Sequence, residues 1–208
     1  SFPVLVALGV PSVHANVTNT VSLCPGYLGG AYAQRKDLAE NAERLRSLAV
    51  VAAVGGLAGS VLLVVSPERL FRSLVPYLIL GACALFAAQP WLKTLRQRNE
   101  DSPPNRFALG ASIFGCAVYG GYFGAAQGII LIGVLGILLD DELQRLNACK
   151  NVLALTVNSA ASIVFIATAE VNWAVVGTIA LGSVVGGQIG STIGRRLDPR
   201  VLRVVIVA

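Results

Sequence analysis

The sequence predicts an all-α fold: a polytopic integral membrane protein with two duplicated, inverted helical halves and one glycine-broken helix. Three observations predict it. All 16 Lys/Arg and 11 Asp/Glu residues fall in a few short clusters, leaving charge-free spans at 1–34, 47–67, 73–92, 107–139, 151–169 and 171–194. About 20 apolar residues cross a hydrocarbon core, so several of these spans suit single passes. The span 107–139 is charge-free over 33 residues yet carries Gly120, Gly121, Gly124 and Gly128. A continuous membrane helix has no use for four closely set glycines, whereas unwound backbone at membrane depth can hold a polar substrate. The third observation is an internal repeat, described below.

Composition agrees. Apolar residues make up 55% of the chain and the mean hydropathy is +0.70. A soluble core of this size would alternate charged with apolar faces, and these spans do not. The net charge of +5 calls for no nucleic-acid partner; in a membrane protein it reflects loops rich in Lys/Arg. Cys24, Cys83, Cys116 and Cys149 form no CxxC pair and read as small buried hydrophobes. With His14 the single histidine, no metal or cofactor site is expected. There is no HExxH and no serine with an evident base, so no catalytic residue is assigned and the chain is not read as an enzyme. The absence of Met predicts that the chain begins inside a larger gene product.

The elements follow in order. Residues 1–10 read as a half-helix closed by Pro11, and a second helix covers 16–34. A charged connector runs from Arg35 to Arg46, then a third helix over 47–65. Pro67 starts a fourth helix at 68–89, since proline suits a first turn. Residues 93–106 form a polar loop that separates a first transmembrane repeat, 1–92, from a second, 107–208.

The second half repeats the first. Val54-Gly55-Gly56-x-x-Gly59-Ser60 recurs as Val185-Gly186-Gly187-x-x-Gly190-Ser191, Pro67-x-x-Leu70 as Pro199-x-x-Leu202, and Asn19 as Asn151. The shifts are 131 or 132 residues and the order is kept. The same shift predicts roughly one further helix before Ser1 and a short segment after Ala208, with the binding site between the halves. If 107–139 enters and returns, 14 Lys/Arg lie on one face against 2 opposite; a single crossing would give 8 against 8. The first arrangement is favoured and makes the halves inverted.

The candidate site residues are polar groups and glycines inside charge-free spans. In Tyr119-Gly120-Gly121-Tyr122-Phe123-Gly124-Ala125-Ala126-Gln127-Gly128, glycines permit positive φ and close approach of a substrate to the backbone. A helix starting near Gly128 would aim N–H groups and a positive dipole end into the break, and Gln127 would add an amide donor. The competing reading is close helix packing. The second candidate is Asn16-Val17-Thr18-Asn19-Thr20, with Thr18 and Asn19 as ligands. Its repeat partner is Asn147-Ala148-Cys149-Lys150-Asn151, with Asn158 two turns on. Helix caps explain some of these, but Asn158 is mid-helix and needs a partner if buried. Lys150 either attracts an anion or snorkels to the interface. The glycines at 55–59 and 186–190 read as packing sites.

These residues resemble the sulfite exporter TauE/SafE family of membrane permeases. The resemblance rests on Pro3, Leu8-Gly9-x-Pro11, Thr18-Asn19 and Pro25-Gly26 in the first half. In the second it rests on Gly120…Phe123-Gly124-x-x-x-Gly128, Arg145-x-Asn147-Ala148-x-Lys150-Asn151, Val171-Asn172-Trp173 and Gly186-Gly187…Gly190…Arg195-Arg196-Leu197-x-Pro199. It implies a multi-pass carrier of the plasma (cell inner) membrane for sulfite, sulfonates or related small organic anions. The expected partners are a small anion and the lipid bilayer, with no nucleic acid, and the sequence leaves the oligomeric state open, a homo-oligomer included. A passive anion channel and a non-transporting membrane assembly factor are the rival readings.

Overall fold

A computed structural model of the chain describes residues 2–38, 42–97, 106–139 and 141–194. Among them every regular element is a helix: α1 (Phe2–Ala7), α2 (Ser12–Ala33), α3 (Arg35–Leu38), α4 (Ala42–Val65), α5 (Glu68–Gln97), α6 (Arg106–Tyr122), α7 (Gln127–Leu138), α8 (Leu143–Thr168) and α9 (Trp173–Gly194). Among the described residues two stretches are long and apolar enough to cross a membrane, Glu43–Val65 and Gln144–Thr168, and shorter apolar helices run over Gln127–Leu138 and Trp173–Gly187. Helix α2 contains no Asp, Glu, Lys or Arg over its 22 residues. It does not reach spanning hydropathy, because its first half carries Asn16, Thr18, Asn19, Thr20 and Ser22.

The helix boundaries follow local chemistry. The half-helix α1 ends where Gly9 takes φ +87°, a left-handed conformation open to glycine, and Pro11 precedes α2. Serine and threonine hydroxyls inside the helices donate to carbonyls one turn back. Thr20 Oγ1 donates to Asn16 O (2.9 Å) and Thr156 Oγ1 to Val152 O (2.9 Å), which satisfies them without water. The charged connector expected at 35–46 is helical in α3 and again from Ala42, and α5 runs on to Gln97. The rest of the expected polar loop, 98–105, and the basic segment 195–203 with Pro199 and Leu202 lie outside the described residues.

Helix α4 packs along α6 on one side and α8 on the other, while α2 packs along α9 and α8. Glycine makes the approach close, as small residues do where backbones meet. A Cβ at Gly55 would stand 2.9 Å from Phe114 O, one at Gly59 would collide with Val118 O, and one at Gly121 would collide with Gly56 O. The packing also repeats. A Cβ on Gly56 of α4 would be 3.0 Å from Val157 O of α8; one on Gly187 of α9 would be 3.6 Å from Gly26 O of α2. Gly56 to Gly187 and Gly26 to Val157 are each a step of 131 residues.

The apolar interior falls into two clusters. One contains Leu48, Leu109, Ile113, Ile130, Leu131 and Leu153. The other contains Phe2, Val17, Leu63, Phe71, Phe123 and Phe165. Residue 158 lies between Val157 of the first cluster and Ala161 of the second, and residue 127 between Ile130 of the first and Phe123 of the second. Both polar residues therefore fall where the chain passes from one cluster to the other, at a seam next to the chain break between α6 and α7.

Candidate functional site

The seam is built from two facing helices. On α2, Asn16, Thr20 and Tyr27, with Gln34 at its C-cap, are spaced by four, seven and seven residues and so follow one face. On α8, Asn151, Asn158 and Ser162 do the same at seven and four. The stripes meet antiparallel: Asn151 Nδ2 donates to Gln34 Oε1 (2.7 Å) at one end, and Cys24 Sγ lies 3.5 Å from Ser162 Oγ toward the other. Gly30 is what admits Asn151, since a Cβ there would come within 2.9 Å of Nδ2.

Asn16 holds the break. Its Nδ2 donates to Tyr122 O (3.0 Å), the last residue of α6, and its Oδ1 accepts from Gly124 N (3.3 Å). One buried amide thus satisfies a donor and an acceptor that the broken helix leaves unpaired. The left-handed residue of the break is Ala126 (φ 63°), not a glycine. Gly120, Gly121 and Gly124 serve close approach, since a Cβ on each would press on a neighbour, whereas one on Gly128 would make ordinary contact; the positive φ falls on Ala126, between Gly124 and Gly128.

Helix α7 begins at this point with no side-chain cap. Its Ile129 and Ile130 N–H groups donate to Ala126 O (3.0 and 3.2 Å), so Gln127 and Gly128 carry the first-turn donors that have no intrahelical acceptor. The Gln127 side chain folds against Gly120, which a Cβ would obstruct. A Cβ on Gly124 would lie 2.8 Å from Thr20 Oγ1 and 3.8 Å from Asn158 Oδ1. One on Gly128 would lie 3.8 Å from both Lys150 Cδ and Tyr27 Oη.

Gln127 and Asn158 are both 0 % exposed. Among the described residues neither the nitrogen nor the oxygen of either side-chain amide has a hydrogen-bond partner. A buried amide without partners costs about 1–3 kcal/mol, and a polar ligand would remove that cost at both. The two lie against Gly120 and Gly124 of the same break. The cation nearest this start of α7 is Lys150, whose Cδ would lie 3.8 Å from a Cβ on Gly128. Arg145 is paired with Asp141 (3.7 Å), and Lys150 has no ion-pair partner among the described residues. The helix dipole adds the same sign.

The structure therefore gathers Gly120, Gly124, Gln127 and Asn158 at the break, with Lys150 at Gly128, further along α8. It sets others apart: Asn151 is engaged by Gln34, and Gly121 closes on α4. Thr18 and Asn19 are buried on α2, where Thr18 O accepts from Ser22 Oγ (2.5 Å). Sequence reasoning assigns no ligand role to Asn16, Thr20, Tyr27 or Gln34. The polar stripe along α2 is the signal that finds them.

On one side of the break an aromatic cluster closes the interior. Phe123 stacks edge-on against Phe2 (5.3 Å), Phe71 (6.0 Å) and Tyr119 (6.1 Å), and Phe71 lies 5.6 Å from Tyr122. Among the described residues no group of three or more His, Cys, Asp or Glu side chains is placed to hold a metal ion.

The chain is similar to the "Probable membrane transporter protein YfcA" of Escherichia coli, at 27% identity over 210 residues, covering 100% of this chain and 76% of that protein. It is similar also to the "Probable membrane transporter protein" of Haemophilus influenzae, at 24% identity over 207 residues, covering 100% of this chain and 80% of that protein. No solved structure matches it significantly. The sulfite exporter TauE/SafE family matches along residues 1–208, from the half-helix α1 through the break and the seam to the last residue. With its whole length matched, the chain belongs to the sulfite exporter TauE/SafE family of membrane proteins.

Proposed function

We propose that the protein is a secondary carrier of small anions such as sulfite, sulfonates or related organic acids, working in the plasma (cell inner) membrane as a multi-pass protein. The observation that carries this reading is the pair Gln127 and Asn158, wholly buried with all four amide atoms unpartnered, at the uncapped N-terminus of α7. An anion bound there receives amide and backbone N–H donors and the dipole of α7, with Lys150 supplying charge from α8. Thr20 lines the site from α2, and Asn16 holds the broken backbone in shape.

The two halves, 1–92 and 107–208 with 93–106 between them, are proposed as inverted repeats. Support comes from the exchange of packing partners, α4 on α8 and α9 on α2, with equivalent glycine contacts. Access would alternate as the halves rock about the α2–α8 seam. The position equivalent to Asn158 is Gly26 or Tyr27, and Gly26 is packed against Ser183, so the first half has no second asparagine at this place.

The test is saturable flux of sulfite and sulfonates in proteoliposomes made with the full-length protein. Asn158→Ala, Gln127→Ala and Lys150→Met should abolish or strongly reduce it while the folded fraction stays normal. Conductance that does not saturate would replace the carrier with a channel. Absence of flux for every anion would overturn the transport reading of this site.

A further inference from the structure

The unpartnered amides carry information about the protonation state of the ligand, and this inference rests on the transport reading above. Each amide presents an acceptor as well as a donor. Asn158 Oδ1 and Gln127 Oε1 are as unpartnered as their nitrogens, so exchanging oxygen and nitrogen in either side chain leaves the count unchanged. A fully deprotonated oxyanion brings acceptors only. It would satisfy the two NH2 groups and leave two buried carbonyl oxygens facing negative charge, without a donor and mutually repulsive. An oxyanion that keeps one proton satisfies a carbonyl as well.

Charge points the same way. Among the described residues the side-chain cation at Gly128 is Lys150, whose Cδ would lie 3.8 Å from a Cβ there, and the surroundings add neutral groups: Thr20, Tyr27, Asn16 and Ser162. The penalty for taking an ion out of water grows as the square of its charge, so a dianion costs about four times a monoanion of the same size. One lysine and one helix end suit a single negative charge.

We propose that the site prefers an oxyanion that is singly charged and still protonated, with an amide oxygen of Asn158 or Gln127 accepting the retained proton, so that a sulfonate, which carries no such proton, binds more weakly than hydrogensulfite. For sulfite the transported species is then hydrogensulfite. The groups facing the cluster that can themselves titrate are Lys150, Tyr27 and Cys24, with Tyr119 and Tyr122 on α6, so the substrate's titration has to be separated from theirs.

Chlorate makes the separation, because it has the pyramidal shape of sulfite, a fixed single charge and no proton. Uptake of radiolabelled sulfite by the full-length protein in proteoliposomes is measured across the second ionisation of sulfite, with chlorate and sulfate as competitors. The expected result is a KM that is constant when expressed as hydrogensulfite, and that rises about tenfold per pH unit in total sulfite above that ionisation. Chlorate should compete at least about tenfold more weakly than hydrogensulfite, the cost of one buried carbonyl left without a donor, with an inhibition constant flat in pH. Sulfate should not compete. In Asn158→Ser the discrimination between hydrogensulfite and chlorate should shrink, a ratio that does not depend on how much protein folds.

A KM constant in the dianion, or chlorate competing as well as hydrogensulfite in the unmodified protein, would overturn the proposal while leaving anion transport standing. Loss of all anion flux would overturn the transport reading and the proposal together.

Discussion

Helices α2 and α7 both begin at a break in the chain, and their first turns are treated in opposite ways. At α2 the Glu68 carboxylate reaches over from α5, accepting from Ser12 N (2.7 Å) and from Val13 N (3.2 and 3.3 Å). An anion is thus built into the protein where a helix N-terminus demands one. At α7 the preceding residue is Ala126, which offers no side-chain cap, and Gln127 at the helix start and Asn158 beside Gly124 carry unpartnered amides. One terminus is closed by a resident carboxylate and is structural. The other, in the proposed carrier, keeps its donors and its dipole for a partner that comes and goes.

The comparison is broken most severely by removing what makes α7 different. The double variant Gln127→Leu, Asn158→Leu replaces two partnerless amides with apolar groups of similar size. Anion flux should fall by at least about a hundredfold, and thermal stability in detergent should rise, each buried amide relieved being worth about 1–3 kcal/mol. Flux that survives would mean that the two amides are structural after all.

A gentler change makes α7 resemble α2. Ala126→Asp places a carboxylate at the N-cap of α7, in a left-handed conformation that Asp tolerates. It should compete with the substrate and raise KM by about tenfold, equivalent to about 1.4 kcal/mol of lost anion affinity. An unchanged KM would place the anion elsewhere.

The reverse experiment weakens the cap of α2. Glu68→Gln keeps one acceptor and loses the charge, so stability should drop by about 1 kcal/mol, the usual worth of a cap, with transport kinetics unchanged. A large change in KM would show that the two helix starts are not functionally distinct. The smallest effect is expected from Ala126→Gly. Relief of the positive φ should stabilise the protein by up to about 1 kcal/mol, measured as a small rise in Tm.

The positions of the helices are legible in the sequence, because charge clustering and apolar length are local properties. The break is legible from four glycines within nine residues, and Gln127 and Asn158 stand out as amides in charge-free spans. What each glycine does is not legible there. Gly121 meets the Gly56 carbonyl and Gly120 meets the Gln127 side chain, and helix packing is what separates these roles. Nor does any local pattern reveal that Asn151 is spent on Gln34, or that Asn16, three residues before Asn19, grips the two ends of the break.

Composition, short-range spacing and motif order are enough to identify the solvent this protein lives in, its all-helical class, the place where one helix breaks and its resemblance to the TauE/SafE family. Which polar groups are satisfied and which are left open is a matter of packing. The partners of Asn16 lie 106 and 108 residues away, and that of Asn151 lies 117 away. A hydrogen bond of that reach exists only once α2, α6 and α8 have come together. In a dry interior, the amides that such packing leaves unpaired are the ones proposed to hold the substrate.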